Sequence, residues 1–291
     1  METGKVVVER VGGKSVVTRC FAKYPLKFII PKKVGSSQTD AVWIYTITYG
    51  GGIVSGDCIS CLFTVGDGCT AVLTTQASTK VYKSVESKCS EQLLEARVGS
   101  SSLLAVIPDP VTCFCTAKYS QRQVFRISPD SNLVLVDWIT SGRHERGEKW
   151  DFDLYKSTNN IYLDGDVPLF LDTLMLEKGM SSIAERMGDY QVFAMLILVG
   201  PKLKHIQNHI VEEVKTMMSK RLHAPSFRPS GQCENKHRLA KPTFIASCST
   251  FGPKDIGVVT RIASETTESV YNFLATQLSG LKPLLGVSPY C

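Results

Sequence analysis

Short runs of β-branched and aromatic residues dominate the chain from about residue 6 to 199, each bounded by Gly, Pro, Asp or Asn. KVVVERV, AVWIYTITY, CLFTVGDG, AVLTTQA, QVFRI, NLVLVDWIT and NIYLDG are examples. Such residues suit a pleated, half-buried surface, and turn signals about every 8–12 residues predict an all-β architecture. Within LFTVGDGCTAVLTT, Gly66-Asp67-Gly68 supplies the positive φ angles of a tight turn and predicts a hairpin. No internal repeat is visible.

Two segments change period. Over 202–222 the apolar residues Ile206, Ile210, Val214, Met217, Met218 and Leu222 fall at helical spacing. Over 262–281, Val270, Phe273, Leu274, Leu278 and Leu281 do the same, with Gly280 and Pro283 as stop signals. HAPSFRPSGQCENKHRLAKP between them reads as a Pro-rich polar loop, and KPLLGVSPYC as a short tail. The expected organisation is one domain over 1–291: β-rich to 200, helix about 202–222, polar loop about 223–241, strand and helix about 242–282.

A chain of 291 residues buries about three quarters of its unfolded surface, enough for a core without staples. Net charge is +6, from 33 basic and 27 acidic residues spread throughout, with no run of five like charges. That argues against a nucleic-acid arm. METGKVVVERVGGK lacks the pattern of a signal peptide. The longest apolar run, VFAMLILVG over 192–200, is half a membrane span and reads as a buried strand. Ten cysteines without an export signal suggest free thiols in the cytosol.

Several motifs approach known chemistry and miss it. YGGGIVSGDC contains Gly51-x-x-x-x-Gly56, the glycine spacing of a phosphate loop, but Asp57 and Cys58 stand where that loop carries Lys and Ser or Thr. Asp57 would repel a phosphate at 4 Å by about 4 kcal/mol. The following CISCLFTV is strand-like, so the stretch reads as a turn in which Asp57 bonds its own backbone. Cys58-x-x-Cys61 and Cys113-x-Cys115 resemble zinc pairs. On strands the first pair would point to opposite faces and the second would share one, and small buried hydrophobes account for most of these thiols. His205 and His209 lie one helical turn apart; with Glu213 they offer an alternative reading as a metal-dependent hydrolase. Ile206 occupies the place where a zinc protease carries its glutamate. TSGRHERGEKW, with Arg143, His144, Glu145, Arg146, Glu148 and Lys149, is the densest charge cluster and by itself reads as a solvated loop.

YGGGIVSGD, TTQASTKVYKS, SGRHERGE and the closing VVTRIASETTESVYNFL occur in the order seen in the urease accessory protein D family, called H in some bacteria. The chain resembles that family over nearly its entire length. YPLKFIIP over 24–31 and IPDPVTCFCTAKYSQ over 107–121 add to the resemblance, while 223–241 and the end of the last helix depart from it. The positions on family motifs are Gly51, Gly52, Gly56, Asp57, Thr75, Gln76, Lys80, Tyr82, Gly142, Arg143, Gly147 and Glu148.

The resemblance implies a mainly β, helical stack of strands with two α-helices in the C-terminal third. It implies no enzyme and no tightly bound cofactor. Family members act as scaffolds that join urease accessory protein F and the urease accessory GTPase G and dock them on apo-urease. Nickel is then delivered, and the active-site lysine is carbamylated with CO₂. They are thought to hold a water-filled passage for nickel in transit, with neither nucleic acid nor membrane as partner. Nitrogen and sulfur ligands would trap nickel, whereas carboxylates, carbonyls and waters hold it loosely. On this reading Asp57, Asp137, Glu145 and Glu148 line or guard the route and metal binding is weak or transient. Glycines 50–52 let carbonyls approach, and Arg143 fixes carboxylates by paired hydrogen bonds. Asp137 and Glu145 enter on chemistry alone. Thr75, Ser78, Thr79, Lys80 and Tyr82 remain open between a hydroxyl-bearing sheet surface, a passage wall, and a partner surface with Lys80 paired to an acid.

Overall fold

The computed structural model describes residues 2–32, 39–222 and 242–290, so the loop expected over 223–241 lies outside the described residues. The protein is 48% strand and 20% helix, a stacked, solenoid-like arrangement of sheets with its longer helices in the C-terminal third. The chain starts with β1 (Gly4–Val11), β2 (Lys14–Ala22), β3 (Leu26–Ile29) and β4 (Ala41–Thr48). It continues through β5 (Cys58–Val65), β6 (Thr70–Thr75), β7 (Thr79–Val81), β8 (Ser90–Val98), β9 (Leu103–Val106) and β10 (Val111–Cys113). Next come β11 (Lys118–Ile127), β12 (Asn132–Thr140), β13 (Leu154–Leu163), β14 (Val167–Glu177) and the short α1 (Ile183–Met187). The last third holds β15 (Val192–Val199), α2 (Lys204–Leu222), β16 (Phe244–Phe251), β17 (Gly257–Ser264), α3 (Thr267–Leu278) and α4 (Lys282–Leu285).

One sheet has seven strands in the order β14-β13-β11-β8-β5-β1-β2. The other has the order β16-β17-β15-β12-β9-β6-β4-β3, with β10 beside β12 and β7 beside β10. From β4 to β13 the longer strands alternate between the sheets, so neighbours within each sheet are parallel, like coils of a spring. The outer pairs are antiparallel.

Burial follows from the layers. Strands of the seven-stranded sheet alternate buried and open residues, as in β5 and β13, because one face meets the other sheet and one meets solvent. The second sheet is sandwiched, and NLVLVDWI of β12 is buried throughout. Leu133, Leu135 and Ile139 point between the sheets, whereas Val134, Val136 and Trp138 join Ile206, Ile210, Val270 and Leu274 of the covering helices. The run over 192–200 is strand β15, buried along nearly its whole length. Among the described residues no helix is long and apolar enough to cross a membrane.

Two local expectations change. The hairpin at Gly66-Asp67-Gly68 does not form, since β5 and β6 belong to different sheets. This turn bonds the turn of the next coil instead: the Gly68 N–H donates to the Ser100 carbonyl and Asp67 accepts from the Ser100 N–H, each at 2.8 Å. Ser100 and Ser101 then donate to Asp130 of the following turn at 2.7 and 2.8 Å. Positive φ thus serves an arch between sheets. Cys113 and Cys115 also fail to share a face, because β10 ends at Cys113; Cys113 is buried and Cys115 exposed. Cys58 is exposed and Cys61 buried, and all cysteines among the described residues are free thiols.

The chain returns on itself at its end. Trp138 Nε1 donates to the Pro108 carbonyl at 2.8 Å, and the Tyr290 hydroxyl donates to the same oxygen at 2.9 Å.

Candidate functional site

Asp137 is the polar interruption of β12. Its neighbours at the same parity face the space between the sheets, and so does its carboxylate. Gln92, Gln121 and Ser157 stand in register across β8, β11 and β13 of the opposite sheet, with Tyr119 beside Tyr155 and Gln123 beside Asn159. Gln121 Nε2 donates to Asp137 Oδ1 at 2.7 Å, and Asn159 Nδ2 donates to Oδ2 at 2.7 Å. The Ser157 hydroxyl donates to Oδ2, and the Tyr155 hydroxyl reaches Oδ1 at 3.4 Å. Tyr119 donates to Gln92 Oε1 at 2.9 Å and Gln121 Oε1 at 3.2 Å, which fixes both amides. Four donors converge on one carboxylate, and no cation pairs with it among the described residues. Burial pushes the Asp137 carboxyl above the usual carboxylate range; the four hydrogen bonds oppose that rise.

A cavity of about 70 Å³ lies against this cluster, lined by Gln92, Tyr119, Gln121, Gln123 and Asp137 among apolar residues. Cys61 also lines it, but burial pushes that thiol up to about 12, so it remains protonated and a poor metal ligand at neutral pH. Outward, the cavity shares Thr75, Thr79 and Gln92 with a pocket of about 240 Å³ that reaches exposed Gln76 and Lys80. Inward, Asp137 and Trp138 also bound a space of about 10 Å³ lined by Tyr155, Asp172 and Met195. That is near the limit for one water. Asp172 closes the far side by accepting from Arg261 Nη2 at 2.7 Å. Asp109 borders the middle cavity too: its N–H donates to Thr75 Oγ1 and its carboxylate accepts from Tyr271, each at 2.8 Å.

The first three motifs form one body beside the outer pocket. Ile53 N–H donates to the Lys80 carbonyl at 2.8 Å and Tyr82 N–H donates to that of Ile53 at 2.9 Å. A Cβ on Gly52 would lie 2.7 Å from the Lys80 carbonyl oxygen, so glycine is required there. The Tyr82 hydroxyl donates to the Gly50 carbonyl at 3.0 Å, and its ring meets Phe114 edge-on at 5.2 Å. The Arg143 guanidinium sits 4.0 Å from the Phe114 ring centroid and forms a two-pronged bond with Glu148. That bond holds the Glu148 carboxyl below its usual range. Gly142 and Gly147, at φ +126° and +78°, shape this loop.

Of the four carboxylates expected along a route, Asp137 alone lines these cavities. Asp57 accepts the Val54 N–H at 2.9 Å and its own N–H donates to the Val54 carbonyl at 2.9 Å, so it closes the turn that Val54 opens and that passes through Gly56. Glu145 is exposed, and Glu148 is committed to Arg143. Thr75, Gln76 and Lys80 do border the outer pocket, as does Gly51. His205, His209 and Glu213 are exposed on α2. Among the described residues no group of three or more His, Cys, Asp or Glu side chains is arranged to hold a metal ion. Sequence reasoning missed Tyr119, Gln121, Tyr155, Ser157 and Asn159, although each is a polar residue at an inward position of an alternating strand.

Two stacked sheets with a buried polar seam and a pocket at one end define a mainly β protein of coiled, two-layered build. The family model described as UreD urease accessory protein matches residues 2–291, and the chain belongs to that family. It is similar to urease accessory protein D of Arabidopsis thaliana, 66% identical over 100% of both chains. The urease accessory protein D of Oryza sativa subsp. indica is 59% identical over 99% of this chain and 95% of its own. Urease accessory protein UreD of Sorangium cellulosum is 36% identical over 99% of this chain and 83% of its own.

Proposed function

We propose that the protein serves urease maturation in the cytosol as a scaffold without catalysis of its own. It joins apo-urease to the F-type accessory protein and the G-type GTPase, and nickel passes through it toward urease. Family membership supports the maturation role. The observation that carries the passage is the row of spaces running from Lys80 past Asp137 to Asp172.

The chemistry of the wall suits cargo better than a resident ion. Among the described residues no imidazole lines these spaces, the one lining thiol is protonated, and the carboxylate, hydroxyl and amide oxygens are ligands that hold nickel loosely. Burial raises the proton affinity of the Asp137 carboxyl, so a divalent ion entering the cavity competes with a proton for the same oxygens. The test is Asp137→Asn in the complete accessory complex with apo-urease. Expected is normal assembly on size-exclusion chromatography with urease nickel content and activity reduced about tenfold, the effect of about 1.4 kcal/mol at one step. Normal nickel loading with normal assembly would exclude the route past Asp137.

A further inference from the structure

The outer pocket carries the wrong sign for a bare metal ion. Among the described residues its ionisable lining group is Lys80, and no carboxylate borders it. Thr48, Gln76, Ser78 and Thr79 add hydroxyls and an amide, and among the described residues none of these four side chains, nor the Lys80 ammonium, has a hydrogen-bond or ion-pair partner. Gln92 is held from behind by Tyr119, whose hydroxyl donates to Oε1 at 2.9 Å, leaving Nε2 as a further donor on the pocket wall. Five uncommitted polar groups and one oriented amide therefore surround about 240 Å³.

This donor set is built in place. Lys80 lies on β7, with its carbonyl bonded to Ile53 N–H at 2.8 Å and its main chain packed on Gly52. The ammonium therefore starts from a fixed strand position, and Thr79 precedes it on the same strand. An ammonium with hydroxyl and amide N–H donors, and without a competing carboxylate, is the complement of a small anion that accepts several hydrogen bonds. The volume far exceeds one water, so the anion fits with part of its hydration shell.

We infer that this pocket binds a small inorganic oxyanion of the phosphate or bicarbonate class, with Lys80 supplying the charge and Thr79, Ser78, Thr48 and Gln92 the neutral donors. It binds the anion whether or not metal moves behind it. An occupied pocket neutralises Lys80 and removes the charge that would turn a divalent cation away from the inner cavity.

The full-length chain is titrated calorimetrically with sodium phosphate and, separately, sodium bicarbonate, each against sodium chloride at matched ionic strength. Saturable binding of at least one oxyanion is expected, and the arm that responds identifies it. Lys80→Met should weaken that binding about tenfold or more, the range of a charged hydrogen bond, and Lys80→Arg should retain most of it. Thr79→Val, which keeps the shape and removes one donor, should weaken it severalfold and serves if Lys80→Met does not fold. Absence of saturable binding by both anions overturns the assignment, as does equal affinity in wild type, Lys80→Met and Thr79→Val.

Discussion

A carboxyl group with four hydrogen-bond donors and no counter-charge is an unusual thing to keep in the middle of a sheet stack. Asp137 is more comfortable protonated than an exposed aspartate, because burial outweighs its hydrogen bonds. The folded-state value lies above the unfolded one, so the group's contribution to stability is complete below about pH 4 and is lost as pH rises through the folded value. Asn cannot titrate. The melting temperature of wild type minus that of Asp137→Asn should be largest in acid and shrink toward neutral pH, read by thermal melts across that range; a constant difference would show that the carboxyl does not titrate in this way. Asp57 gives the opposite case. Its side chain only closes a turn, and an Asn oxygen can accept the same Val54 N–H. Asp57→Asn should leave melting temperature and urease nickel loading unchanged, and reduced loading by a well-folded variant would restore a role for its charge.

At the scale of strands and turns, the motifs are a joint. Gly52 lets the first motif press on β7, Tyr82 ties β7 back to Gly50 and reaches Phe114, and Phe114 carries Arg143. Gly52→Ala would drive a methyl group into the Lys80 carbonyl at 2.7 Å. A destabilisation of about 1–3 kcal/mol is expected from a urea unfolding midpoint, the range for overpacking. Strands were legible in the sequence because turn residues and apolar runs are local signals. Both longer helices were legible because their apolar faces repeat, as in Ile206, Ile210 and Val214. The arch at Gly66-Asp67-Gly68 was not, since a hairpin and a crossing between sheets need the same positive φ and differ only in distant partners. The Asp137 cluster was half legible: a lone acid inside NLVLVDWIT stands out, but Gln121 and Ser157 become its partners only through the parallel register of two other strands.

For the molecule as a whole, the winding that alternates between sheets explains why a polar seam can exist at all. Each coil sets one residue of a given parity against the next, so a few inward polar side chains on adjacent coils join into a row instead of scattering through the core. The helices on the outer face of the second sheet keep β12 rigid on one side while its other side faces the cavity. The last residues belong to this same assembly. Tyr290 latches onto the Pro108 oxygen, one residue before Asp109 on the cavity rim. Tyr290→Phe would therefore leave the Pro108 carbonyl to Trp138 alone, so the outer surface at residue 290 bears on the interior wall through a single hydroxyl.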